Sequence, residues 1–212
     1  HTVTHGGSPP QSKSSLLPPA GTSATVFNES AFFVMQTLNI GGQSVLTFYD
    51  SGANTHLCDG AMAETAGFRV IDPTCTQISV VGGGQVYTAY GRYSSILGPD
   101  QDGLYHEIEA QGLESITSVY PTFGLKPIND EASSVMPAET VFPLTVGGDR
   151  VKLLLGIKNT LLMPKLTHRL PSGVCIFQCV FRDAYGSNIA YGGPHEAFTR
   201  GYAKCGMSAA HL

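Results

Sequence analysis

The chain has 212 residues and a mass of 22.4 kDa, a length that suits one domain with an appendage. Its formal net charge is −4, and 13% of its residues are charged, against roughly 25% in ordinary soluble domains. This acidic balance argues against nucleic acid or an anionic membrane as the main partner. No apolar run reaches the ~18 residues that a membrane-spanning helix needs. The 25 Gly and 13 Pro residues favour many short strands and turns over long helices.

Residues 1–25 are predicted to form a disordered tail rich in Ser, Pro and Gly. The tail contains two Pro-Pro pairs and one charged side chain, Lys13, so it cannot bury enough apolar surface to offset its ordering entropy. We expect His1 and His5 to be solvated. Because the chain opens with His rather than Met, we expect it to be a piece of something longer. Its first residues also lack the apolar core of a signal peptide.

Five cysteines are present, and their odd number predicts free thiols in a reducing compartment inside the cell. They are Cys58, Cys75, Cys175, Cys179 and Cys205. Cys175 and Cys179 lie four residues apart with no second pair nearby, so we interpret them as core or strand residues and predict no metal site and no cofactor.

From residue 26 onward the pattern predicts an all-β domain with one or two short helices. Gly41-Gly42 separates two apolar runs and predicts a tight hairpin, and Asp59 and Gly67 are suited to cap a short helix between them. The other predicted strands, in chain order, are Thr76–Val81, Gln85–Tyr93, Tyr105–Ala110, Ile116–Val119, Val141–Val146, Arg150–Leu155, Val174–Arg182 and Ser187–Tyr191. Residues 121–140 carry breaks without periodicity and are predicted to be a long loop.

The sequence Asp50-Ser51-Gly52 is the sharpest chemical feature. It follows the apolar run Leu46–Tyr49 at once, so a strand would hold the carboxylate rigidly while the glycine permits a tight turn. Alone, Asp-Ser-Gly is a common turn sequence. About a hundred residues later comes Leu154-Leu155-Gly156, with a hairpin tipped by Gly82-Gly83-Gly84 in between.

In this order and spacing the three features resemble the retroviral-type aspartic proteases, or retropepsins. The likeness covers residues 26–200 and is closest to the peptidase domain of Bel/Pao-type retrotransposon polyproteins. Asp50-Ser51-Gly52-Ala53 resembles the catalytic loop, Gly82–Gly84 the flap, and Leu154-Leu155-Gly156 the segment that packs that loop inside a ψ-shaped strand crossing. Later matches are Leu170-Pro-Ser-Gly173 and Gly192-Gly193-Pro194-His195.

The resemblance implies a closed β-barrel, the single lobe of the acid protease fold. Its protease domain would span residues 26–170, with an insertion over 98–150 and a C-terminal β extension or linker over 171–212. The catalytic residues would be Asp50, Ser51 and Gly52, while Ala53, Gly82, Gly83, Gly84 and Tyr87 would contact substrate. Tyr87 and Tyr90 suit strand packing equally well.

Aspartic protease chemistry needs two close carboxylates around one water, and this chain has one Asp-Ser/Thr-Gly. The resemblance therefore implies a homodimer that contributes two Asp50 side chains, cuts a polyprotein, and works in the cytoplasm or in retroelement particles. No nucleic acid or membrane partner is expected. Two alternatives stay open: a catalytically silent scaffold that dimerises or binds peptides, and a fragment that is inactive as a monomer.

Other motifs are weaker. No Lys-Ser/Thr follows Gly82–Gly84, so phosphate binding is disfavoured. The flanks of Ser51 do not form Gly-x-Ser-x-Gly, and His56 with Cys58 is too close along one segment for a catalytic dyad. We interpret His56 as a packing or capping residue, His195 as part of a turn, and Asp130-Glu131 as solvated.

Overall fold

The structure is a computed structural model that describes residues 32–79, 85–87, 90–194, 196 and 198, with the backbone alone at 85–87. The predicted tail over 1–25, the flap tip at Gly82–Gly84, and His195 lie outside these residues. Strand accounts for 41% and helix for 12% of the described residues, which confirms the all-β class.

The described elements are short, and strands outnumber helices. In chain order they are β1 (Met35–Ile40), β2 (Gln43–Asp50), β3 (His56–Asp59), α1 (Gly60–Thr65), β4 (Arg69–Asp72), β5 (Gln77–Ser79), β6 (Gln85–Tyr87), β7 (Arg92–Leu97), β8 (His106–Leu113), β9 (Phe123–Gly124), α2 (Lys126–Ala132), β10 (Thr145–Val146), β11 (Leu153–Gly156), a 3₁₀ helix (Thr160–Leu162), β12 (Lys165–Arg169), β13 (Cys175–Gln178) and β14 (Ile189–Gly192).

The first predicted hairpin and the first predicted helix are confirmed. Gly41 and Gly42 both have positive φ, as the tight turn between antiparallel β1 and β2 requires. Asp59 caps α1, since its Oδ1 accepts the Met62 N–H at 2.8 Å. Gly67, with φ +78°, follows the helix end in the left-handed conformation.

The largest sheet has seven strands in the order β1-β2-β11-β3-β8-β7-β4. β11 lies between β2 and β3, parallel to β2 and antiparallel to β3, although about a hundred residues separate it from either strand. The strand therefore closes a ψ-shaped crossing around the loop that joins β2 to β3. The described strands show an open order with β1 and β4 at the ends, and no closed barrel is found among them.

The predicted hairpin before residue 93 is present in its central part. β5 and β6 pair antiparallel, with Ile78 opposite Val86. The predicted strand Gln85–Tyr93 is wrong in its extent. The chain leaves β6 after Tyr87 and enters β7 at Arg92, and β7 pairs with β4 and β8 instead.

Two predictions in the middle of the chain are wrong. The predicted loop over 121–140 contains α2, whose Pro127 lies at the start of the helix, where its missing N–H costs nothing. Buried Ile128 and Ala132 pack this helix onto the core. The predicted strand Ile116–Val119 is reduced to one bridge between Val119 and Arg150.

The chain after residue 170 packs onto the same core as the large sheet. β12, β13 and β14 form an antiparallel sheet, and the predicted pair around Tyr185 is confirmed as β13 and β14. One buried cluster joins Cys179 and Phe181 to Tyr49 and Leu155. A second buried cluster joins Ile176 and Tyr191 to Met35 and Leu46.

Cys58, Cys175 and Cys179 are free thiols, which confirms the prediction for these three, while Cys205 lies outside the described residues. No described helix has the length and apolarity that crossing a membrane demands.

Candidate active site

Asp50 is the last residue of β2 and is held by a buried strand. Val45, Leu46 and Thr47 in β2 are at most 2% exposed, so the strand cannot shift without disturbing the core. Asp50 itself is partly exposed, at the point where the strand leaves the core. A rigid support with an accessible carboxylate is what a reactive group requires.

The loop after β2 folds back on this carboxylate. Asp50 Oδ1 accepts the Gly52 N–H at 2.8 Å, and the Asp50 carbonyl accepts the Ala53 N–H at 3.2 Å. A side-chain carbon on Gly52 would lie 3.1 Å from Oδ1, so glycine keeps this approach free. Ser51 is exposed beside the carboxylate.

The end of β11 fastens the loop from the other side. In the parallel register Leu155 lies opposite Tyr49, and Gly156 lies opposite Asp50. The Ile157 N–H donates to the Ala53 carbonyl at 2.7 Å. Leu154 and Leu155 are 7% and 0% exposed. The structure therefore brings the predicted residues Asp50, Gly52, Ala53 and Leu154–Gly156 into one site.

His56 is the site residue that the sequence interpretation underrated. It is 2% exposed, and its Nδ1 accepts the Gly156 N–H at 3.0 Å. Burial lowers the pKa of His56, and the positive charge of Lys158 lowers it further. The partner is a hundred residues away along the chain, so no local pattern could have indicated it.

The strand that carries Asp50 is also tied to the C-terminal segment by a buried polar chain. The Tyr49 hydroxyl donates to Gln36 Oε1 at 2.7 Å. Gln36 Nε2 lies 3.4 Å from the carbonyl oxygens of both Phe181 and Ser187. Burial raises the pKa of Tyr49 well above its ordinary value, so the hydroxyl keeps its proton as a donor.

Two other aspartates, one that precedes glycine and one in a turn, have local structural roles. Asp59 caps α1. Asp183 Oδ1 accepts the N–H groups of Tyr185 and Ser187 at 2.8 Å each. Neither repeats the arrangement of Asp50, so a single copy supplies one such carboxylate among the described residues.

The predicted substrate-contacting residues of the flap are described only in part. Gly82–Gly84 and the side chain of Tyr87 lie outside the described residues. The Tyr90 ring packs directly against Gly60, so at this position the structure shows strand and helix packing. Within the described chain no three or more His, Cys, Asp or Glu side chains cluster in a way that could hold a metal ion.

No family model, curated protein or solved structure matches the chain.

Proposed function

We propose that the chain is an aspartic endopeptidase of retroelement origin that hydrolyses peptide bonds as a homodimer. The observation that carries this proposal is the crossing itself, in which β11 lies between β2 and β3 with Gly156 opposite Asp50. A common Asp-Ser-Gly turn would need no such support. The large sheet would then be the core of a single acid protease lobe, acting inside the cell on a polyprotein.

The homodimer follows from the carboxylate count. Two copies related by a two-fold axis would bring two Asp50 side chains together, with exposed Ser51 of each copy next to the axis. Carboxylates that close cannot both ionise, so the pair shares one proton. Its titration belongs to the pair and not to either residue.

The reaction uses that shared proton. The ionised carboxylate takes a proton from a water molecule, whose oxygen attacks the carbonyl carbon of the peptide, while the protonated carboxyl gives its proton to the carbonyl oxygen. The resulting tetrahedral intermediate collapses with proton transfer to the leaving amine. The reaction consumes one water molecule and releases two peptides, one with a new carboxyl terminus and one with a new amino terminus.

An Asp50→Asn variant tests the catalytic role. We expect cleavage of a library of denatured peptides, read as new N-termini by mass spectrometry, to fall at least ~10³-fold, because proton transfer is lost. Asp102→Asn, in an exposed turn, is the matched control and should cleave like wild type. Cleavage by the Asp50→Asn variant at the wild-type rate would contradict the proposal.

Mixing tests the shared site. When Asp50→Asn copies are mixed with an equal amount of wild type and the subunits exchange, the activity per wild-type copy should fall by about half. Random pairing places half of the wild-type copies in mixed dimers, which hold one Asp50 carboxylate instead of two. Added Asp102→Asn copies, which are active themselves, should leave the activity per active copy unchanged. A folded dimer that neither cleaves peptides nor binds a statine-type transition-state analogue would favour a silent scaffold instead.

A further inference from the structure

His56 is a buried side chain between the Asp50 loop and the strand that supports it. It opens β3 directly after the loop, and with 2% exposure it has no route to a bound peptide. Any effect on the reaction must therefore pass through the residues that it touches. The Gly156 N–H, at 3.0 Å from Nδ1, is the described hydrogen bond of its ring.

This bond acts together with one other contact between β11 and the loop. The Gly156 N–H goes to His56, and the next N–H along the chain, of Ile157, goes to the Ala53 carbonyl at 2.7 Å. The two hydrogen bonds attach β11 to Ala53 and to His56, on either side of residues 54 and 55. Gly156 also lies opposite Asp50 in the pairing of β11 with β2. A shift of β11 would therefore displace the end of β2, which holds the Asp50 carboxylate.

The ring can accept this bond only when Nδ1 carries no proton. A neutral imidazole then has its proton on Nε2. The surroundings favour this form, since burial disfavours a charged ring and Lys158 adds a nearby positive charge. The Lys158 ammonium lies 3.6 Å from the Glu109 carboxylate of β8, the strand that pairs with β3 on its other side.

We propose that His56 is a positioning residue for Asp50, which holds the end of β11 against the catalytic loop through a neutral ring with the proton on Nε2. This inference rests on the proposed endopeptidase function for its effect on rate. Its structural part, the tautomer and the Gly156 bond, stands on the geometry alone.

Two substitutions of similar size separate the bond from simple packing. In His56→Asn the amide oxygen can take the place of Nδ1 and accept from Gly156, whereas in His56→Gln the amide lies at the level of Nε2 and cannot. We expect His56→Asn to keep kcat within about threefold, and His56→Gln to lose ~10- to 100-fold in kcat with KM changed less than about twofold. Equal losses in both variants, or no loss in His56→Gln, would overturn the positioning role.

A readout without catalysis keeps this test separate from the proposed function. In the full wild-type chain, ¹⁵N NMR should show His56 with unprotonated Nδ1 and protonated Nε2. The Gly156 amide should exchange with solvent at least ~10-fold faster in His56→Gln than in His56→Asn. A wild-type chain that cleaves no peptide contradicts the endopeptidase. A protonated Nδ1, or equal exchange in both variants, contradicts the role of His56, and the wild-type tautomer decides even if His56→Gln does not fold.

Discussion

Gly156 shows how one missing side chain allows two segments to meet. A Cβ at this position would press into the Thr55 carbonyl oxygen and lie 2.6 Å from the Ala53 carbonyl oxygen. Both are backbone atoms, so they cannot rotate away as a side chain would. Close contact between β11 and the Asp50 loop therefore depends on glycine at this residue.

We expect Gly156→Ala to reduce the free energy of unfolding by about 2 kcal/mol or more, because the added methyl overpacks a buried backbone contact. Urea unfolding followed by circular dichroism would measure this loss. Peptide cleavage should fall along with stability, since the loop that carries Asp50 must move.

Gly103→Ala is the matched control for the glycine substitution. Gly103 has φ +80° and nothing within contact distance of an added Cβ, so alanine there meets backbone strain alone, about 1 kcal/mol. A Gly156→Ala protein as stable as the Gly103→Ala protein would show that β11 and the loop do not meet as described.

At residue scale, the sequence predicted those features that depend on neighbours in the chain. Asp50, Gly52 and the apolar strand before them are adjacent, so their geometry is largely local. The role of His56 depends on Gly156, and no property of either residue alone indicates the other. The motif could therefore be predicted, and the histidine that supports it could not.

Among elements, glycine-marked turns were the reliable signals. Gly41-Gly42 and Gly67 need positive φ, which few other residues adopt, so the hairpin and the helix end were predictable. α2 was missed because Pro127 was taken as a break, although proline suits a helix start. The place of β11 between β2 and β3 came from the family resemblance, since strand pairing over a hundred residues leaves no local signal.

The loop between β7 and β8 is held by one carboxylate. Asp100 Oδ2 lies 2.7 Å from His106 Nε2, and Oδ1 accepts the N–H groups of Asp102 and Leu104 at 2.8 Å each. The hydrogen bond with His106, followed by the backbone N–H groups, lowers the pKa of Asp100 below its ordinary value. The loop thus depends on an ionised aspartate.

Acid should weaken this loop in a predictable direction. Because the pKa of Asp100 is lower folded than unfolded, its contribution is present above the unfolded pKa of ~3.9 and is lost as the pH falls through the folded pKa. We expect wild type to be more stable than Asp100→Asn at pH 7, and the difference to shrink as the pH falls below about 4. Thermal unfolding at stepped pH would measure it.

Asp102→Asn serves as the control in the same turn. Its carboxylate is exposed and forms no hydrogen bond with a described residue, so the substitution should change the stability little at each pH. A difference between wild type and Asp100→Asn that stays constant down to pH 2 would contradict the assigned role of Asp100.

At the scale of the whole molecule, two buried clusters join the large sheet to the C-terminal strands. The first places Cys179, Phe181 and Ala190 against Leu38 and Leu153. The second places further C-terminal side chains against the first hairpin and the residue two positions before β11, namely Val174, Ile176, Ile189 and Tyr191 against Met35, Leu46 and Val151. Folding of the Asp50 strand is thereby coupled to residues more than a hundred positions later.

We expect a chain cut after Leu170 to lose cooperative folding. Burial of Val174, Ile176, Phe181, Ile189 and Tyr191 contributes about 1.5–3 kcal/mol each, a sum comparable with the ~5–15 kcal/mol stability of a whole domain. The cut would also leave Gln36, which accepts the hydrogen bond from Tyr49, without the buried carbonyl oxygens of Phe181 and Ser187. Thermal unfolding followed by near-ultraviolet circular dichroism would show a sharp transition in the full chain and none in the shortened one.

A chain cut after residue 200 is the control, because it keeps β13, β14 and the stacking of Phe198 on Phe32 at 3.9 Å between ring centroids. It should unfold in a single transition like the full chain. If the chain that ends at Leu170 did the same, the strands after it would be an appendage to a self-sufficient lobe. If it does not, the support of Asp50 extends beyond β11 to β14, and the smallest unit able to form the proposed active site includes the C-terminal sheet.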